Sequence, residues 1–537
     1  MTLSQRGHGN PGSNVKPRIK NLFPCRVEAK RRRVLPVLIA GFGLMLFSSV
    51  IHAQLSNAYR MEFLYGETLA EIGSVDAQVK IGYCYAAGWG VETNYTEAAK
   101  WFRKAAELDD AKAQVNLGYC YVAGVGVETN YTEAVKWFRR AAVKNDAKAQ
   151  VNLGCCYATG RGVETNYVEA VKWYRKAAEQ DDANAQCLLG SCCAVGLGVE
   201  KNDKEAVKWF RKAAEQNLPV AQATLGYDYA AGRGVETNQV EAVNWYRKAA
   251  EQNYPYAQVS LGYSYTMGRG VETNYVEAVK WYLRAAEQND PTAQSYLGNC
   301  YTTGLGVKQD YAEANRWYLK AAERNYVYAQ SCLGYRFDVE KNYPEAVKWY
   351  RRAAELNDAI AQGNLGSCYA KGNGVEQNYT EAVRWYRKAA EQNIADAQFN
   401  LGRCYENGQG VETNLTEAVK LYCKAAEQND AYAQAYLGDC YVHGRGVMQY
   451  YAEAAKWYKK AAEQNNADAQ YGLGWYYAYV EYNSVEGDAW LGLAARTLKS
   501  AAWAQYVLEG QMPSNQIETA HARMKELEVQ IQAKLNH

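Results

Sequence analysis

The chain is poor both in residues that break helices and in residues that most often perform chemistry. Only nine prolines occur in 537 residues, so little forbids helix and the chain can be helical nearly throughout. Histidine is scarcer, at five, and only His443 falls within the repeating part of the chain. That leaves no His-Glu-x-x-His zinc signature and no Ser/His or Cys/His pair for nucleophilic catalysis. The 14 cysteines contain no Cys-x-x-Cys, the spacing that would mark a metal or redox site. The only Ser-x-x-Lys runs from Ser13 to Lys16, upstream of an apolar leader, where it would be removed or left on the wrong side of a membrane. No enzyme, cofactor or metal is therefore expected.

A surplus of one charge is missing too. The net charge of +2 is misleading, because nine Lys or Arg and a single acid, Glu28, lie in the first 33 residues. Setting those aside leaves 51 basic against 57 acidic residues, a mildly acidic body with no basic stripe to attract nucleic-acid phosphates. Nucleic acid is excluded as an expected partner.

What the N-terminus does have is an address. Lys30-Arg31-Arg32-Arg33 precedes an uncharged apolar run from Val34 to Ile51, and Ile51-His52-Ala53 follows. Basic, apolar and small-residue regions in that order predict a signal peptide over residues 1–53, cleaved after Ala53. If uncleaved, the run is nearly long enough to anchor the chain in a bilayer. Either way the body is expected to be exported, periplasmic or secreted, and to meet a membrane only through this segment.

The dominant positive feature is a phrase of 36 residues. Leu117-Gly118 recurs as Leu153-Gly154, Leu189-Gly190, Leu225-Gly226, Leu261-Gly262, Leu297-Gly298 and Leu333-Gly334, and after one step of 32 as Leu365-Gly366, Leu401-Gly402, Leu437-Gly438 and Leu473-Gly474. Such a period predicts a solenoid, in which each unit buries its apolar face only by stacking on its neighbours. Within one period, Ala113, Leu117, Cys120 and Tyr121 share a helical stripe, which predicts a first helix from Ala111 to about Ala123. Gly118 inside it implies close approach by a neighbouring helix. Gly124-Val125-Gly126 ends that helix with left-handed backbone, Val125 or Val127 plugging the turn. Asn130 with Glu133 reads as a reciprocal capping box for a second helix through Trp137 and Phe138. Asn or Asp with Glu three residues later recurs at Asn342 with Glu345 and at eight further sites; Tyr450 with Glu453 breaks it, predicting the weakest cap. Asn145 supplies the left-handed stop.

This phrase, with its A-Q-x-x-L-G core and its N-Y-x-E-A-V-K-W-Y-R-K-A-A-E-Q-N-D close, resembles the Sel1-like repeat, a relative of the tetratricopeptide repeat, in its exported bacterial type. The resemblance covers about eleven clear repeats and a divergent twelfth. It implies an all-α fold, a right-handed α/α superhelical solenoid of helix-turn-helix units. The expected organisation is a capping helix at 54–74, the array at 75–475, and a divergent last repeat with capping helices at 476–537. Asn515 with Glu518 is expected to open the last helix. The resemblance also implies a non-catalytic, monomeric scaffold that binds protein or peptide partners. A cysteine-rich branch of the family is linked to cell-wall glycan binding and β-lactamase-like hydrolysis, and that reading, like a purely structural array, stays open as an alternative.

In the related tetratricopeptide fold the concave face is lined by first-helix positions five before, two before and two after the repeat Leu. In this chain those positions vary while the rest of the unit does not. The candidate partner-binding residues are Tyr119, Tyr227, Tyr256, Tyr263, Tyr328, Tyr335, Arg403, Tyr432, Asp439 and Trp475, enriched in the types that dominate interface energetics. Eight of the cysteines, Cys84 to Cys440, share the position two after the repeat Gly and read as small buried hydrophobes. The cluster Cys155-Cys156, Cys187 and Cys192-Cys193 is the one place where a disulfide or metal is entertained.

Overall fold

The computed structural model describes the chain from residue 49 to 536, with side chains from residue 60. The expected leader therefore lies outside the described residues except for its last five, which begin the helix Ser49–Glu71. Among the described residues there are 27 helices and no strand, and no helix is long and apolar enough to cross a membrane. Two compact bodies divide between Gln288 and Asn289, each an α/α solenoid of stacked helix pairs.

The first body opens with Ser49–Glu71, whose Phe63 and Ala70 pack against Ala77, Ile81 and Trp101 of the first pair. Six pairs follow, from Val75–Ala87 with Tyr95–Glu107 to Pro255–Met267 with Tyr275–Glu287. The second body runs from Pro291–Thr303 with Tyr311–Ala322 through six pairs to Ala467–Tyr479 with Ser484–Ala495, then closes with Lys499–Glu509 and Ser514–Leu535. The core is shared between units. One cluster joins Val79, Phe102, Leu117, Trp137, Phe138 and Leu153, residues of three consecutive units, as nearest-neighbour stacking requires.

The repeat Leu is fully buried, and the glycine after it faces an aromatic ring. A Cβ on Gly118 would lie 2.4 Å from Phe138, and one on Gly154 would lie 2.6 Å from Tyr174. The expected close approach is thus made chiefly by a ring of the unit's own second helix. The two loop glycines have separate reasons. Gly124, at φ 66°, caps the first helix. Gly126, at φ 74°, leaves its missing Cβ only 2.0 Å from the Tyr95 carbonyl oxygen of the preceding unit. It is Val127, not the exposed Val125, that packs into the core.

The capping expectation needs correcting in half its detail. Asn130 Oδ1 accepts from the Glu133 amide at 3.0 Å, but Glu133 does not reach back. The Asn130 N–H already donates to the Tyr121 carbonyl at 2.9 Å, and the Glu133 carboxylate turns outward to Lys136 Nζ at 2.6 Å. Tyr450 makes no side-chain cap, as its chemistry dictates. Neither does Asn342, because the shortened unit joins Val327–Val339 to Tyr343–Glu355 by three residues, which holds Asn342 at φ −86°, ψ 67°. Lys341 supplies that turn's left-handed residue, at φ 60°. The lost loop is replaced by a side chain: buried Arg336 stacks over Tyr311 at 4.0 Å and pairs with Glu340 at 2.8 Å. At the C-terminus the last helix begins at Ser514 behind Pro513, with no side-chain cap from Asn515.

A polar seam crosses each unit. The buried repeat glutamine donates to an alanine carbonyl at the end of the preceding second helix, as Gln150 does to Ala142 at 3.2 Å and Gln258 to Ala250 at 3.2 Å. Its Oε1 then accepts from a second glutamine at the C-cap of the unit's own second helix or, for Gln464, just after it. Seven such pairs, Gln180 to Gln150 through Gln464 to Gln434, measure 2.7–3.0 Å. Where Leu108, Lys144 or Leu356 holds the C-cap, the Oε1 of Gln78, Gln114 or Gln330 is buried without a partner.

Candidate partner-binding face

Positions five before, two before and two after the repeat Leu lie within about 60° of one another on an α-helix and opposite the Leu, from its 100° per residue. A buried Leu thus fixes which side chains the first helices turn outward. In the first body Tyr119 is exposed, stacks edge-on against Phe138 at 5.7 Å, and its hydroxyl accepts from Asn152 Nδ2 of the next unit at 2.7 Å. Tyr83 and Asn116 repeat that contact at 2.7 Å. Tyr227 and Tyr263 are half-buried, with Arg233 and Arg269 over their rings at 4.8 and 5.5 Å. Tyr256 is 40% exposed, but its hydroxyl lies among Tyr227, Tyr246 and Ser260. Burial there pushes its pKa up to about 12, which keeps the phenol a donor at any physiological pH.

Beneath these rings sits Asp228, at the position where most units have cysteine. It is 2% exposed and 3.6 Å from Arg233. Desolvation outweighs the arginine and raises its pKa to about 7.

In the second body Tyr328 is exposed, and Asn299 Nδ2 donates to its hydroxyl at 3.1 Å; Tyr318 donates to Asn299 Oδ1 at 2.5 Å. Tyr335 is half-buried, and Arg403 is exposed. Tyr432, 58% exposed, flanks an aromatic group that reasoning from single positions missed. Phe399 stands 6.3 Å from Tyr432, 5.1 Å from Tyr436 and 5.7 Å from Tyr422. The signal was present in the sequence, since Phe399 occupies the position two before Leu401. Asp439 accepts from Tyr458 at 2.5 Å, and Trp475 lies between Tyr451 and Tyr479 at 6.0 and 6.1 Å. Asp439 and Trp475 are thus built into local contacts, while Arg403 and Tyr432 project.

The second helices carry a different surface. Except for Trp490 in the last pair, each second-helix tryptophan has a Lys or Arg three residues on, stacked over its ring, as at Trp101 with Lys104 (3.9 Å), Trp245 with Lys248 (4.0 Å) and Trp457 with Lys460 (4.1 Å). These stacks repeat almost unchanged, whereas the first-helix face differs from unit to unit. The cysteines are internal: Cys155, Cys187, Cys192 and Cys193 belong to one apolar cluster, and burial pushes the Cys187 and Cys192 thiols up to about 12. Inert protonated thiols are what that environment gives.

Comparison with known proteins agrees with this architecture. A family model described as Sel1 repeat matches twelve consecutive segments, from residues 75–110 to 467–495. Among solved structures, a protective antigen present in uropathogenic Escherichia coli strains and displaying an SLR fold is 32% identical, with a TM-score of 0.66, over 87% of this chain and 95% of that one. A Sel1 repeat protein from Oxalobacter formigenes is 36% identical over 45% of this chain and 96% of that one, with a TM-score of 0.42. No curated protein gives a significant match.

Proposed function

The chain belongs to the Sel1-repeat family, and from that premise we propose that it is a non-catalytic scaffold holding protein or peptide partners on the first-helix face of each of its two bodies. Helix-pair solenoids of this kind are commonly used for protein interaction. One observation carries the reading. Within units that otherwise repeat nearly verbatim, the outward first-helix positions hold Tyr119, Tyr256, Tyr328, Arg403 and Tyr432, whose ring or guanidinium surfaces remain accessible.

Several of these rings are pre-positioned. Asn152 holds the Tyr119 hydroxyl and Asn299 that of Tyr328, so less side-chain freedom is lost on binding than for unrestrained residues. Aromatic and arginine anchors of this type contribute about 2 kcal/mol or more each where a partner encloses them. The expected export of the body, carried by the leader at 1–53, places that partner outside the cytoplasm.

Crosslinking of the full chain in its native envelope, followed by mass spectrometry, tests the reading. Tyr119→Ala, Arg403→Ala and Tyr432→Ala are expected to remove specific crosslinks while helical content and melting temperature stay near wild type. Identical crosslinks from wild type and the triple variant refute the assignment of this face.

A further inference from the structure

The last three helices bring together three side chains that the repeat architecture does not require. Asp488 lies on Ser484–Ala495, Glu509 ends Lys499–Glu509, and His521 lies on Ser514–Leu535. One ligand-type atom from each lies within 4.8 Å of the others. Asp488 is 0% exposed, and neither of its carboxylate oxygens has a hydrogen-bond partner. The neighbouring Gln505 amide donates to Glu509 Oε1 at 3.1 Å and lies close enough to Asp488 to favour its charged form, without a hydrogen bond of good geometry to it. A buried carboxylate left this way costs on the order of several kcal/mol unless something compensates it.

We propose that Asp488, Glu509 and His521 form a site for a divalent transition-metal ion, Zn2+ by preference, that ties the last three helices together.

The donor set fits. One imidazole nitrogen and two carboxylate oxygens suit Zn2+ and its first-row neighbours, whereas Mg2+ and Ca2+ prefer oxygen alone. Around a tetrahedral ion with bonds of about 2.0–2.2 Å, ligand atoms sit about 3.3–3.6 Å apart. His521 Nε2 and Glu509 Oε1 are already 3.0 Å apart. Asp488 closes the triangle from the buried side, and the Gln505 amide holds the Glu509 carboxylate at 3.1 Å, as an outer-shell partner does. Three protein ligands leave a fourth position for water. Because each ligand comes from a different helix, binding would stabilise their packing and not merely decorate one element.

The test uses the full chain, stripped with a chelator and titrated with Zn2+ by calorimetry, alongside Asp488→Asn and His521→Ala. The expected result is one Zn2+ per chain, a rise in melting temperature on loading, and an affinity at least tenfold weaker in each variant. Asp488→Asn keeps the shape of the buried side chain, and circular dichroism of both variants confirms that the helices remain. Because the chain is rich in cysteine, Co2+ substitution supplies a second readout: the oxygen and nitrogen set predicts visible d–d bands without thiolate charge-transfer absorption. No binding, binding unaltered in both variants, or a thiolate spectrum overturns the proposal.

Discussion

Exchanging leucine and glutamine at the C-caps of the second helices should change stability in opposite directions at different units. At Leu108 and Leu356 the side chain is 54% and 49% exposed, so its burial contributes about 1 kcal/mol, roughly half of what a fully enclosed leucine gives. Beneath them Gln78 and Gln330 each present an orphaned buried Oε1. Leu108→Gln and Leu356→Gln would donate to it as Gln180 donates to Gln150 at 2.8 Å. Satisfying a buried acceptor is worth about 1–3 kcal/mol, so the net gain is about 0–2 kcal/mol per site. The two sites lie in separate bodies and should add. The reverse change, Gln252→Leu, orphans the Oε1 of Gln222 and should cost about 1–2 kcal/mol. Urea midpoints from far-UV circular dichroism give the order. Hydrogen exchange of amides in the affected unit gives the local value, since a long array need not unfold in one step. A destabilised Leu356→Gln, or a Gln252→Leu as stable as wild type, refutes the claim that the seam is energetically significant.

Other perturbations follow from the same geometry. Gly118→Ala should destabilise by roughly 2–3 kcal/mol through the 2.4 Å clash with Phe138, and a double-mutant cycle with Phe138→Leu should recover much of the loss. Lys341→Gly should stabilise the shortened unit by about 0.5–1 kcal/mol, read as a higher urea midpoint, because the residue sits at φ 60°. Asp228 should make stability fall as pH rises. Its folded pKa of about 7 lies above the ordinary carboxylate value, so the unfolded chain ionises first, and stability is lost between about pH 4 and 7. Melting of wild type and Asp228→Asn compared across that window should show similar values near pH 4 and a deficit in wild type that stops growing above pH 7.

Legibility in the sequence followed the range of the interaction. The helices, their glycine stops and the left-handed Asn145 depend on neighbours within a few residues, and each is visible as a residue type at a fixed place. The N-cap role of Asn130 was equally local. The return reach of Glu133 failed because the cap's N–H is taken by the Tyr121 carbonyl across the loop, a fold-level fact. Asn342 failed because a three-residue connection sets its backbone. The glutamine seam joins residues 30 apart whose partnership no local pattern announces; the first-helix glutamine is constant in the phrase, but its second-helix partner is not. Asp488, Glu509 and His521 are spread over three helices at no recognised spacing, and only packing assembles them. The outward tyrosines were readable as positions, but their anchoring by Asn152 and Asn299 was not.

The nesting of Gly126 against the Tyr95 carbonyl means that every joint of this kind is made from one surface of a unit and the complementary surface of the next. Excising or duplicating a whole 36-residue module within one body brings identical mating surfaces together again, so recombination between repeats can lengthen or trim the protein without a new core being invented. A change that is not a whole module has to be mended, and Arg336 filling the gap over Tyr311 shows that a single side chain can do the mending.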